Sequence, residues 1–265
     1  MIATLPLSTT QLALVALLIL VNAGVSVALR LGLERRLLVA ATRAILQLLL
    51  LGLVLGWVFA RQGPAWILVV MLVMVAVAGY EAVRRTSYRV PGLFAVAQVV
   101  MLTTSVAVTL YGVVGVLGVR PWYTPQYLVP ILGMILGNTL NGISLGLETV
   151  LDGYARDREQ VECLLAHGAT RREASRAVVR RAVRTGMIPI LNAMTIAGLV
   201  SIPGMMTGQI LAGQDPAVAA RYQIFILFSI AAAVALGTVG VVFGATRLVF
   251  DDRGRLRSDR LRRVG

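Results

Sequence analysis

One cysteine, one histidine, no lysine and only 12 acidic residues occur in a chain of 265 residues. A lone thiol, Cys163, excludes an intramolecular disulfide. One thiol and one imidazole, His167, leave no Cys/His cluster to hold a structural zinc ion. Hydrolysis through a Ser-His-Asp or Cys-His arrangement would have to recruit His167, which lies in a polar stretch away from the apolar runs. The phosphate-binding glycine loop, the dinucleotide fingerprint and the HExxH metalloprotease pattern are also missing. This inventory is poor for a self-contained enzyme.

The chain is rich in apolar residues. They make up 58% of it, charged residues make up 14%, and mean hydropathy is +0.83. These values lie outside the soluble range and indicate an integral membrane protein. About 20 apolar residues cross the hydrocarbon core as a helix. Seven runs qualify: Leu12–Leu29, Leu37–Phe59, Ala65–Val83, Phe94–Leu117, Leu128–Leu147, Met187–Leu211 and Tyr222–Val249. The reading is an all-α polytopic protein with about seven transmembrane helices, its membrane domain over 1–250 and a basic cytosolic tail over 251–265. No basic stretch precedes the first run, so that run is read as a retained span.

Net charge is +13, carried entirely by arginine. A basic balance can signal nucleic acid, but here the arginines fall in short segments between apolar runs, the pattern of membrane orientation. No nucleic acid is expected. One set of loops holds Arg30, Arg35, Arg36, Arg84, Arg85 and Arg89, the eight arginines from Arg156 to Arg184 and the seven from Arg247 to Arg263. The opposite set holds Arg61, Arg120 and Arg221. The imbalance puts the first set in the cytoplasm, with the N-terminus outside and the C-terminus inside. The tail is expected to be solvated or to lie on the lipid surface.

Glu148 to Pro189 is the one long polar segment. It reads as a cytosolic elbow over 149–186, between spans five and six, made of two short amphipathic helices. Gly168 suits the left-handed position that ends the first, and Thr170-Arg171-Arg172-Glu173 fits a capping box that starts the second. A rigid arginine-rich elbow is expected to dock a partner. Leu164 and Leu165 would be its apolar anchors, and Arg171 and Arg172 could meet acidic groups on that partner.

Several polar residues fall inside the apolar runs. Arg43 and Gln47 share one face of span two. Arg43 either snorkels to the interface or pairs with Glu81 or Glu148 at similar depth. Asn138, Asn141 and Glu148 follow helical spacing down span five, and Asn192 and Thr195 repeat it in span six. Such residues either bridge helices or line a polar path. Ile202-Pro203-Gly204-Met205-Met206-Thr207-Gly208-Gln209 should kink or break its helix. Broken helices offer backbone carbonyls to cargo, and Met205 and Met206 either pack or present thioethers to a soft metal. Glycines four apart (Gly133/Gly137, Gly142/Gly146, Gly204/Gly208, Gly240/Gly244) point to close helix contacts.

The segment Glu162–Thr170, the run Gly133–Asn138 and Ile202–Leu211 together resemble the FetB-type permeases, a family associated with bacterial iron export and with aluminium tolerance in plants. The similarity runs over nearly the whole chain. It implies a permease subunit of an ABC transporter in the bacterial inner membrane, working as a homodimer with separate ATP-binding subunits that hold the ATP and magnesium. It also implies an iron or other metal-ion cargo, and no catalytic or cofactor site on this chain. The elbow is similar to the coupling loop of ABC importer permeases, with Glu162 and Gly168 at matching spacing. Cys163 and Leu164 replace its two alanines, and Arg181 occupies a proline slot. The competing reading is a stand-alone secondary transporter or cation channel. It would need intramembrane acids, and only Glu81 and Glu148 are available.

Overall fold

A computed structural model describes residues 8–61, 63–251 and 253–263. They form two compact units, one from Met1–Gln62 with Leu211–Gln214, the other from Gly63–Ile210 with Asp215–Gly265. The all-α class expected from the apolar runs is observed. Among the described residues, six helices are long and apolar enough to cross a membrane.

The first unit holds α1 (Thr9–Ala28) and α2 (Glu34–Arg61), which pack on each other. Ser8 and Gln11 form a capping box at the start of α1. The Ser26 hydroxyl closes the connection, accepting from the Leu33 N–H at 2.9 Å and donating to Glu34 Oε2 at 2.9 Å.

The second unit holds α3 (Pro64–Arg84), the strand β1 (Tyr88–Arg89), α4 (Leu93–Leu110) running into a π-helical segment (Tyr111–Val116), α5 (Pro125–Arg156), α6 (Arg158–Ala166), α7 (Arg171–Ile196), α8 (Gly204–Leu211), α9 (Pro216–Val249) and the strand β2 (Arg262–Arg263). Helix α5 is the central post, packed against α3, α4, α7 and α9. It has 32 residues and α9 has 34. At about 1.5 Å per residue each approaches 50 Å, well beyond a hydrocarbon core of about 30 Å. Both helices are therefore longer than a single crossing requires.

Lipid supplies no hydrophobic drive between helices, so close packing must hold them. Small residues on α5, α7 and α9 meet their neighbours at very short range. A Cβ on Gly142 would lie 3.1 Å from the Gly186 carbonyl oxygen, and one on Gly186 would lie 2.7 Å from the Gly142 oxygen. Gly146 faces Thr238 and Val242, and Gly240 and Gly244 face Val100 and Val96. The expected glycine contacts thus exist for the second and fourth pairs. Gly133 meets Met74 alone, while Gly137, Gly204 and Gly208 face open space.

Two expectations are corrected. The run Met187–Leu211 is not one helix. The chain leaves α7 at Ile196, turns through Gly198 (φ +80°) and re-enters helix at Gly204. The break comes where Pro203 and Gly204 required one, but it opens into a loop in which the Ile196 carbonyl accepts from Leu199, Val200 and Ser201. The second correction concerns the tail, which folds back. Phe250 bridges to Leu256, both buried, and Arg262–Arg263 pairs antiparallel with Tyr88–Arg89. Arg257 grips Asp259 through two 2.8 Å hydrogen bonds that hold the carboxyl down at about 2.

Candidate functional site

The elbow is ordered as expected, with one change in its architecture. Its first helix is α6, nine residues long. Its second is the beginning of α7, a continuous 26-residue helix running from Arg171 to Ile196 with Pro189 inside it. Only the turn at 167–170 is a true joint, because α5 reaches Arg156 and α6 starts at Arg158.

The turn closes by two backbone bonds, Gly168 N–H to the Leu165 carbonyl at 3.0 Å and Ala169 N–H to the Leu164 carbonyl at 3.0 Å. This pairing requires a left-handed residue at Gly168, whose φ is +87°. The next helix starts with the expected capping box. The Glu173 N–H donates to Thr170 Oγ1 at 3.3 Å, and Glu173 Oε2 accepts from the Thr170 N–H at 2.7 Å and from its hydroxyl at 2.7 Å. Those hydrogen bonds, the hydroxyl's first, lower the Glu173 carboxyl below its ordinary value.

Rigidity comes from beneath. Val161 is buried on the inner side of α6. Asp157, at the α5–α6 corner, bonds Arg181 of α7 at 3.0 Å. Arg181, in the slot where the resemblance expects proline, therefore acts as a strut. Glu162 is held by Arg158 at 2.8 Å within its own helix. Leu164 is 40% exposed, whereas Leu165 is half-buried. Arg171 and Arg172 are both exposed, and the Arg171 guanidinium lies 5.9 Å from the centre of the Phe250 ring. A cavity of about 560 Å³ separates this face from the folded tail, lined by Glu162, Leu165, Thr170 and Arg171 on one side and Arg255 and Leu256 on the other.

The polar ladder of α5 meets the end of α3 and the connection to α4. Asn141 Oδ1 accepts from Arg85 at 2.9 Å, the Ser144 hydroxyl donates to the Ala82 carbonyl at 3.3 Å, and Glu148 Oε2 accepts from the Ser87 N–H at 2.7 Å. One turn on, Asp152 accepts from the Tyr88 hydroxyl at 3.2 Å. Burial of Tyr88 and the negative charge of Asp152 push its phenol up. Asn141 and Glu148 thus bridge helices here. Asp152 continues their spacing and could have been found by extending the ladder one turn. Arg85, Ser87 and Tyr88 carried no sequence signal, because their role depends on which helix lies next to them.

The other path candidates lie on α2, α3, α5, α7 and α8. Arg43 and Gln47 line one shallow hollow on α2, together with Leu38, Val39, Thr42 and Leu46. Glu81 accepts from Arg84 at 3.5 Å. Asn138 is exposed and donates back to its own helix at Met134 O, 2.8 Å away. Asn192 is exposed near the end of α7. Met205 and Met206 are half-buried on α8, and the Gln209 Oε1 atom on the same helix is buried with no hydrogen-bond partner among the described residues. No group of three or more His, Cys, Asp or Glu side chains that could hold a metal ion exists among the described residues.

Six apolar helices and an ordered elbow on α6 define a multi-pass helical membrane protein. The chain belongs to the family described as "Uncharacterised protein family (UPF0014)", whose model matches residues 9–250. It is 39% identical over 227 residues to "UPF0014 membrane protein slr1647" of Synechocystis sp., covering 85% of this chain and 87% of that one. It is 33% identical over 209 residues to "Protein ALUMINUM SENSITIVE 3" of Arabidopsis thaliana, covering 79% and 75%. It is 30% identical over 250 residues to "Probable iron export permease protein FetB" of Escherichia coli, covering 94% and 95%. No solved structure matches the chain.

Proposed function

We propose that this chain is the membrane-spanning permease subunit of an ABC transporter that exports iron or another metal ion, driven by a separate ATP-binding subunit. The observation that carries the reading is the elbow. A short helix closed by the Gly168 turn, braced by Asp157–Arg181 and carrying an exposed leucine has the form of a lever that receives force. A solvated linker would need none of these features. The name of the Escherichia coli relative supports the direction and the cargo.

In this proposal the chain works as a homodimer in the bacterial inner membrane, N-terminus outside and C-terminus cytoplasmic, and hydrolysis belongs to the partner. Leu164 and Leu165 are the apolar anchors, with Arg171 and Arg172 beside them. Movement of α6 passes directly into α5 and α7, because both helices end at the elbow. The path draws on Arg43, Gln47, Glu81, Asn138, Asn192, Met205, Met206 and Gln209. The bridging groups Asn141 and Glu148 hold its wall.

The test asks whether an ATP-binding cassette protein encoded in an adjacent reading frame co-purifies with this chain on co-expression and drives vesicle transport of iron. Leu164→Arg should abolish association while the variant still inserts and elutes as wild type does. Undiminished association of Leu164→Arg, or transport of metal by the purified chain without any nucleotide-hydrolysing protein, would sink the proposal.

A further inference from the structure

The groove between α7 and α9 shares Arg171 and Arg172 with the elbow, but its other lining residues have no part in the docking mechanism. Helix α7 carries Arg172, Arg176 and Arg180 four residues apart, so they form one row along its surface. Arg247 faces them from the last turn of α9. The cavity between the helices has a volume of about 870 Å³, with Val179 and Phe243 among its apolar walls. Among the described residues, no carboxylate lies within 4.0 Å of these four guanidiniums in an ion pair. One carboxylate does line the groove, that of Glu173, but it is turned back onto Thr170. With Arg171, which also lines it, five cations share a cavity whose one acid among the described residues is engaged elsewhere.

Depth identifies what would neutralise them. Phe243 is exposed on α9 four residues, or about 6 Å, before Arg247 in the helix's last turn. An exposed aromatic ring at that level faces acyl chains. The arginines flank it towards the end of the helix, where phosphates lie, with stems long enough to run along the apolar wall. A guanidinium row binds phosphate oxygens in bidentate fashion. A soluble acidic protein would satisfy the arginines but leave Phe243 and Val179 uncovered, and a free anion would do the same. We infer that this groove is a binding site for an anionic phospholipid, its phosphodiester held by Arg176, Arg180 and Arg247 and its first acyl segments lying on Phe243 and Val179.

The test uses the full chain reconstituted in phosphatidylcholine vesicles with a minor fraction of phosphatidylglycerol. Electron spin resonance of acyl-chain spin-labelled lipids gives the relative association of the two headgroups. The wild type should retain labelled phosphatidylglycerol in preference to phosphatidylcholine. Arg176→Gln/Arg180→Gln should reduce that preference by at least about fivefold, the effect of losing roughly one interfacial cation. Arg176→Lys/Arg180→Lys should keep most of it, and the equally discharged Arg35→Gln/Arg36→Gln on α2 should leave it within about twofold. Phenylglyoxal labelling of the wild type needs no variant: phosphatidylglycerol should protect Arg176, Arg180 and Arg247 but not Arg253. Four results would overturn the inference: no headgroup preference in the wild type, equal loss in the α2 control, protection by inorganic phosphate as good as by the lipid, or protection only when an ATP-binding subunit is added.

Discussion

Replacing Gly186 by alanine puts one methyl group into the closest glycine-to-backbone contact among the described residues. Its carbon would lie 2.5 Å from the Thr238 Cγ2 methyl and 2.7 Å from the Gly142 carbonyl oxygen. Carbon atoms rest about 3.5–4.0 Å apart, so the Thr238 methyl would have to retreat by about 1 Å. Thr238 is fully buried and cannot swing aside, and the Gly142 oxygen belongs to the backbone of α5. The helices themselves must separate, at an overpacking cost of about 1–3 kcal/mol. Alanine returns about 1 kcal/mol of helix propensity relative to glycine. Because the clash involves backbone, the upper part of the range applies and the net loss should be about 2 kcal/mol. For a chain of this size that corresponds to a fall in Tm of about 4–8 °C. Thermal unfolding in detergent, followed by far-UV circular dichroism, measures it. Gly208→Ala, where an added Cβ meets nothing within 4 Å, serves as the matched control and should not fall. Adding Thr238→Ala to Gly186→Ala should recover part of the loss, since it removes the methyl clash but not the carbonyl one. A Gly186→Ala protein that melts within about one degree of wild type would refute the close approach of α5 and α7.

Three further outcomes follow from the elbow and its supports. Thr170→Ala removes the cap of α7 and should cost about 1 kcal/mol locally, read as faster amide exchange in residues 171–174. The Glu173 carboxyl is lowered in the folded chain, so its contribution is complete above the ordinary carboxylate range and is lost as pH falls through the lowered value. Exchange at the same amides should therefore be flat from neutral pH to the ordinary carboxylate range, after correction for intrinsic rates, and rise only below it. Asp157→Asn removes a partly exposed bridge to Arg181 worth roughly 0.5 kcal/mol. It should loosen α6 without lowering the global Tm measurably, so an unchanged exchange rate in residues 158–166 would contradict the strut.

How much was legible beforehand varies with the range of the interaction. The helical class, the Gly168 turn and the Thr170–Glu173 box were readable because each depends on residues within a few positions of one another. The course of α7 was not. Arginines on one half and apolar residues on the other suggested a short helix followed by a span, but helix formation depends on local backbone bonds and is indifferent to that change of surroundings. Pro189 did not divide it either. The break at Ala197–Pro203 was foreseen from Pro203 and Gly204 but not its length, because the loop is held by the Ile196 carbonyl rather than by the proline. In the site, the spacing of Asn141 and Glu148 marked one face of α5 correctly. What that face meets, Arg85 and Ser87, lies some 60 residues away in sequence. The Gly142–Gly186 contact escaped for the same reason, since each glycine is ordinary until the other is placed against it. The tail lacked periodicity and was read as solvated or lying on the lipid surface, and its fold-back onto Tyr88–Arg89 rests on a β pairing of only two residues.

The bare contact of Gly186 on Gly142 also sets a mechanical ratio. Gly186 stands 15 residues from the start of α7 and 10 from its end, or about 22 Å and 15 Å of helix. With no side chain between the two backbones to absorb sliding, a sideways push near Arg171 turns the rod about this fulcrum. Its far end then swings the opposite way by roughly two-thirds of the distance. Residues near Asn192 and Thr195 would travel most, and those beside the pivot would hardly move.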